Sequence, residues 1–333
     1  MTQIISKQNL LSWLERLIGE GIVIAPVQSN GLVLFQRVSR AEDVVLDFGN
    51  TALSPKESFL PLSEVLFTVG KENGNIKLVP ATVDEETVLF GIHPCDAKGI
   101  AIIDKPLLAE PADALYQQHR ARTALIGLAC SESRPECFCT SMGTAPDDPS
   151  NLDIMLTKAN DDYIVQAVTE KGKALLPSDL IVESEVTPPP PPSVQAVPTE
   201  GIVDVMQGVF EAPYWSRLAD RCLHCNICAH VCPTCYCFDI RDYASEGNNI
   251  ERVRSWESCQ SSGFTRLAGG YDPRATKGAR LRQRFYHKLS YFPEHFGLIG
   301  CVGCGRCVRY CPVNIDIREI IGDIQKLGVQ SER

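Results

Sequence analysis

The sequence lacks any run of about 18 apolar residues, so no segment reads as a membrane-spanning helix, and contact with a membrane would have to run through a partner. Basic residues are not in excess. Forty-one Asp and Glu against 32 Lys and Arg give a formal net charge of −9, and neutralising phosphates takes a basic surface, so nucleic acid is not the expected partner. A secretion signal is missing too. Lys7, Glu15 and Arg16 interrupt the apolar residues of MTQIISKQNLLSWLERLIGEG, and no small-residue cleavage site follows. This segment reads instead as a surface helix ending at Gly19, with Leu10, Leu11, Leu14, Leu17 and Ile18 on its buried side. There is no Rossmann glycine fingerprint, P-loop, nickel-binding cysteine pair or evident acid–base constellation, so chemistry on a substrate is expected elsewhere.

Cysteine is abundant. Fifteen in 333 residues would suggest disulfides in a small secreted chain, but here they bunch at two-residue intervals, the spacing of metal ligands. The expected compartment is the reducing cytoplasm. The length suits two domains. Five consecutive prolines at 188–192 favour an extended, semi-rigid linker. The chain therefore divides into an α/β domain at 1–183, a Pro-rich linker at 184–201, and an α-rich or irregular ferredoxin-type domain at 202–333, with a basic insertion at 233–300. In the first domain the short apolar runs TVLFGI (87–92) and TALIGLA (123–129) flank a stretch that can hold a helix, a βαβ-like pattern. In the third, a metal core is expected to replace part of the apolar core. Ile317, Ile320, Ile321 and Ile324 predict a closing helix, with Asp316 and Glu319 placed to cap it.

Two stretches carry the strongest signal. Cys222, Cys225, Cys228 and Cys232 precede Pro233 with the spacing C-x2-C-x2-C-x3-C-P, and Cys301, Cys304, Cys307 and Cys311 precede Pro312 with the same spacing. This is the bacterial ferredoxin pattern, in which the fourth cysteine of each run serves the other cluster. One 4Fe-4S cluster is thus expected on Cys222, Cys225, Cys228 and Cys311, and another on Cys301, Cys304, Cys307 and Cys232. Zinc, the main alternative, usually takes separated C-x2-C pairs. With a full cysteine set present, His224 and His230 receive no ligand role. Gly303 and Gly305 let the second loop fold tightly, and backbone NH groups near sulfur would raise a cluster's potential.

Cys95 and Cys130 each closely follow a predicted strand, at the carboxyl end where parallel sheets bind ligands. With Cys137 and Cys139 they could hold a third cluster or be a group of buried thiols. Cys235, Cys237 and Cys259 number one short of four cysteine ligands. They read as structural thiols near the clusters, a further site with a non-cysteine ligand being the alternative. The segment 252–288 has nine Lys and Arg against Glu257 and Asp272, suited to a solvated face, to balancing cluster charge, or to docking an acidic partner.

FGIHPCDAKGI, ECFCTSMGTAP, the first motif with CPTCYCFDI, WESCQSSGF, LAGGYDPR, LRQRFYHK and CVGCGRCVRYCP together resemble the iron–sulfur subunits that stand beside flavin NAD(P)H-reductase subunits. That family includes the beta subunit of cytoplasmic NiFe sulfhydrogenases and the iron–sulfur subunit of anaerobic sulfite reductase. The resemblance covers most of the chain beyond residue 85. It implies an electron relay between a flavin subunit, which would carry FAD, and a terminal oxidoreductase such as a hydrogenase, sulfite reductase or heterodisulfide reductase. It also implies the third cluster on Cys95, Cys130, Cys137 and Cys139. The residues leave two rivals open: a catalytic flavo-iron–sulfur reductase with flavin in the N-terminal domain, and clusters that only hold the fold.

Overall fold

The computed structural model describes residues 1–72 and 75–331. Twelve strands run β1 (Thr2–Ser6), β2 (Ile22–Ser29), β3 (Leu32–Arg37), β4 (Ser63–Glu72), β5 (Asn75–Pro80) and β6 (Thr87–Ile92). They continue as β7 (Thr123–Leu128), β8 (Ile154–Ala159), β9 (Asp162–Ala167), β10 (Val182–Ser184), β11 (Phe238–Ala244) and β12 (Ile250–Trp256). The larger sheet has the order β10-β1-β9-β8-β7-β6-β2-β3. Its centre, β2-β6-β7-β8, is parallel, and antiparallel strands extend it on both sides.

The expected βαβ pattern is present: β6 and β7 pair in parallel, joined through the helices Pro94–Leu107 and Ala114–Arg122. Every side chain of β7 is buried, as a central strand covered on both faces requires. One apolar cluster, around Leu10, Trp13, Leu14, Ile126 and Leu156, takes in the N-terminal helix Lys7–Glu20. Another, around Phe59, Ile100, Ile103, Leu125 and Met155, takes in the helix after β6. The N-terminal helix begins later than the apolar pattern suggests. Residues 2–6 instead form β1, which pairs with β9 and β10, a contact more than 150 residues distant in sequence that no local pattern announces. The helix runs one residue past Gly19, to Glu20, with the Ser6 side chain capping its start.

The C-terminal part holds more regular structure than its cysteine-dense sequence suggests. An apolar core does form there, built from Ile202, Met206, Trp215, Leu218, Phe285, Leu289, Ile320, Ile321 and Ile324, and it draws in Phe138 and Met142 from the N-terminal part. The insertion is also not all loop: β11 and β12 form a hairpin that joins β4 and β5 in a second sheet, β11-β12-β4-β5. That sheet is fastened by Arg254 of β12, 1% exposed, whose guanidinium reaches Glu64 of β4 and Asp113. The closing helix, Ile317–Ser331, starts where predicted, and Asp316 accepts from the Arg318 NH (2.8 Å). The proline run has no regular secondary structure and is exposed from Pro188 to Pro191. Just beyond it, Val197 and Thr199 hydrogen-bond Ser141, which pins the connection to the loop carrying Cys137 and Cys139. Among the described residues no helix is long and apolar enough to cross a membrane.

Candidate metal centres

The two ferredoxin-type loops share one backbone solution. In the second, Gly303 (φ 65°) and Gly305 (φ 73°) are left-handed; at the matching places in the first stand His224 (φ 53°) and Asn226 (φ 64°). These turns aim three sulfurs inward, and the freed NH groups meet sulfur: His224 donates to Cys222 Sγ (3.4 Å), Gly303 to Cys301 Sγ (3.5 Å) and Ile315 to Cys311 Sγ (3.2 Å). Sequence reasoning found the glycines and missed His224 and Asn226, though Asn is the residue that tolerates a left-handed backbone best after glycine. Glycine is required in the second loop for a further reason. A Cβ on Gly303 would come within 2.5 Å of the Phe138 carbonyl, and one on Gly305 within 2.6 Å of the Glu136 backbone. We therefore expect Gly303→Ala to cost about 1–3 kcal/mol or more from backbone strain and this clash, and Asn226→Gly to be near neutral, as read by anaerobic thermal unfolding and iron retention.

Cys222, Cys225 and Cys228 line one cavity, and Cys311 of the other motif joins them there. Cys232 lies instead beside the second loop, where its charge pushes up the thiols of Cys301, Cys304 and Cys307 after the larger effect of burial. The fourth cysteine of each run thus stands with the other run's first three. Cys95, Cys130, Cys137 and Cys139 all line one cavity at the carboxyl ends of β6 and β7. Asn50 closes it, donating to Cys137 Sγ (3.9 Å) and to the Cys304 carbonyl (2.6 Å). Cys235, Cys237 and Cys259, read from the sequence as structural thiols or a further site, also line a single cavity.

The donors fit iron–sulfur clusters better than free thiols. Burial pushes Cys139 and Cys304 up to about 12, so without a metal they would be neutral, and thiolates need cations to persist. Cations are built in. Lys288, 4% exposed, donates to Cys232 Sγ (3.3 Å) and Arg284, 3% exposed, to Cys235 Sγ (3.4 Å). Gln260 donates to Cys228 Sγ (3.1 Å). Arg306 makes a two-pronged buried ion pair with Asp96 (2.6 and 2.8 Å) and lowers the Cys304 thiol against its burial. Much of the basic insertion is therefore turned inward: Arg280, Arg284 and Lys288 are buried, while Arg252 pairs with Asp242 and Arg282 stacks on Phe210. Burial pushes His224 down, and its ring Nδ1 faces the Gln260 carbonyl (3.5 Å).

The sites adjoin one another. Cys307 of the second loop also lines the cavity of Cys222, Cys225 and Cys228, and Cys304 also lines the cavity of Cys95, Cys130, Cys137 and Cys139. Cys225 is exposed, flanked by exposed Leu223 and Ile227, so the first loop opens to the surface.

Residues 221–315 match the family model of a 4Fe-4S dicluster domain. Over 320 residues the chain is 30% identical to sulfhydrogenase 2 subunit beta of Pyrococcus furiosus, a match covering 92% of this chain and 93% of that protein. No solved structure matches the chain. With its two ferredoxin-type loops and a match over nearly its whole length, the chain belongs to the iron–sulfur, electron-transferring family of the sulfhydrogenase beta subunit.

Proposed function

We propose that this protein is the relay subunit of an oxidoreductase complex, passing electrons one at a time between a flavin NAD(P)H-reductase subunit, which holds FAD, and a terminal subunit that reduces protons, sulfite or a disulfide. One 4Fe-4S cluster is held by Cys222, Cys225, Cys228 and Cys311, a second by Cys301, Cys304, Cys307 and Cys232, and a third by Cys95, Cys130, Cys137 and Cys139. The clusters supply the electron-accepting chemistry; the chain fixes their spacing, charge and access to solvent. The observation that carries this reading is the shared walls: the second loop contributes Cys307 to one neighbouring cavity and Cys304 to the other, which makes it the middle of a line.

Four thiols stand at the strand ends where a flavin would have to bind in a flavo-enzyme reading, and this favours the relay. Leu223 and Ile227, with Lys277 close enough to depress the pKa of His224, form an apolar and basic rim beside exposed Cys225 that suits an acidic partner. The test is paramagnetic resonance on the reconstituted complex. NAD(P)H should generate reduced-cluster signals in this subunit only when the flavin subunit is present, and the terminal acceptor should erase them. Clusters that stay oxidised throughout would overturn the relay, as would flavin extracted from this chain alone together with substrate reduction.

A further inference from the structure

Cys235, Cys237 and Cys259 line one small pocket with Arg284, His287 and Lys288. The two cysteines after Pro233 arrive from the first motif's exit, and Cys259 arrives from the end of β12, so two separate segments deliver thiols to one place. Three cations surround it, each at least nine-tenths buried. Lys56 donates to the carbonyls of Cys235 (2.8 Å) and Ala229 (3.4 Å), and Lys288 to Thr234 Oγ1 (2.7 Å), the Gly300 carbonyl (2.9 Å) and Cys232 Sγ. Arg284 donates through Nη1 to Cys235 Sγ, and its Nη2, also buried, has no partner.

None of those partners is a carboxylate. Buried charge is costly unless paired, and beyond the Trp256 ring under Lys56 (4.1 Å) the anionic groups beside these side chains are the thiols of Cys232, Cys235 and Cys237. Bare thiolates packed together would repel and reclaim protons; a bound metal centre keeps all of them ionised and gives Arg284 Nη2 an anionic acceptor. A single zinc ion does not suit the spacing. Among the described residues no three His, Cys, Asp or Glu side chains converge tightly enough for one ion, and that holds for the ferredoxin-type sets as for this trio. A cubane takes one thiolate to each iron from separate segments, and here Cys237 and Cys259, from two segments, come within hydrogen-bond reach of each other.

We propose that Cys235, Cys237 and Cys259 hold a fourth iron–sulfur cluster, separate from the three above, in which one iron lacks a cysteine and faces the cavity wall formed by His287. The wall itself is irregular: the helix Lys277–Tyr286 passes into a π-helical turn at His287–Tyr291, a distortion often found at functional sites. Cys232, a ligand of the second loop's cluster in the relay reading, lies against Cys235, so the new cluster would adjoin the middle of the line as a branch.

The test compares iron and acid-labile sulfide in the full chain, purified without oxygen, with Cys259→Ser and Cys237→Ser. Each substitution should remove about four irons and one resonance signal while the ferredoxin-type signals remain. Unchanged iron, or loss of one zinc instead, would overturn the proposal and leave the relay reading standing. Should neither variant fold, iron-edge anomalous diffraction from the unmodified chain decides it: a peak among Cys235, Cys237 and Cys259 supports the cluster, and its absence, or a zinc-edge peak, refutes it.

Discussion

Cys304→Ser is expected to abolish NAD(P)H-driven turnover of the assembled complex while leaving the flavin subunit's own dye reduction intact. Cys304 faces two ways. It belongs to the second ferredoxin-type loop and also lines the cavity of Cys95, Cys130, Cys137 and Cys139. A serine hydroxyl is a harder and far weaker acid than a thiol, so it replaces the thiolate poorly on a soft, sulfur-rich centre. The middle cluster is damaged and the wall it shares with its neighbour is altered together. Since changes to outer-shell partners alone cost about 10–100-fold, loss of this thiolate should lower coupled turnover by at least the upper end of that range. Dye reduction by NAD(P)H in the same preparation is the internal control. Coupled turnover at the parent rate would exclude a route through the second loop.

The next largest effect is expected from the buried pair Arg306–Asp96, both 1% exposed. Arg306 follows Gly305 in the second loop, and Asp96 lies on the helix that begins beside Cys95. The guanidinium also donates to the Thr51 carbonyl and hydroxyl (2.9 Å each), so one side chain bolts the second loop to the helix that carries Cys95. Arg306→Leu leaves the Asp96 carboxylate buried without its partner, which costs about 3–5 kcal/mol. The double variant Arg306→Leu with Asp96→Asn should recover part of that loss. Anaerobic denaturant unfolding of both variants and the parent measures the difference. Equal midpoints for parent and single variant would show that the pair does not hold the two regions. Loss of the positive charge beside Cys304 should also lower the potential of the second-loop cluster, because the reduced form carries the extra negative charge.

How much of this was legible in the sequence depends on how local each signal is. The two C-x2-C-x2-C-x3-C-P runs are complete within eleven residues each, so their grouping could be read directly, and so could the parallel β6–β7 unit and the isoleucine face of the closing helix. The strand β1 could not, because its partners lie at 162–165 and 182–184. The second sheet was hidden for the same reason: β12 matches β4 across nearly two hundred positions. The basic segment was legible only in part. Its arginines suited a solvated face, the balancing of cluster charge or docking alike, and only the fold shows Arg284 and Lys288 buried against sulfur. Their burial makes sense only once negative charge is placed beside them. Cys235, Cys237 and Cys259 looked like leftovers for want of that same three-dimensional information.

The most direct measurement is an iron-edge anomalous difference map from crystals grown and frozen without oxygen. Strong iron peaks are predicted in two cavities, one bounded by Cys222, Cys225, Cys228 and Cys311, the other by Cys301, Cys304, Cys307 and Cys232. Zinc there, or four bare sulfhydryls around solvent, would contradict an electron relay built on these loops.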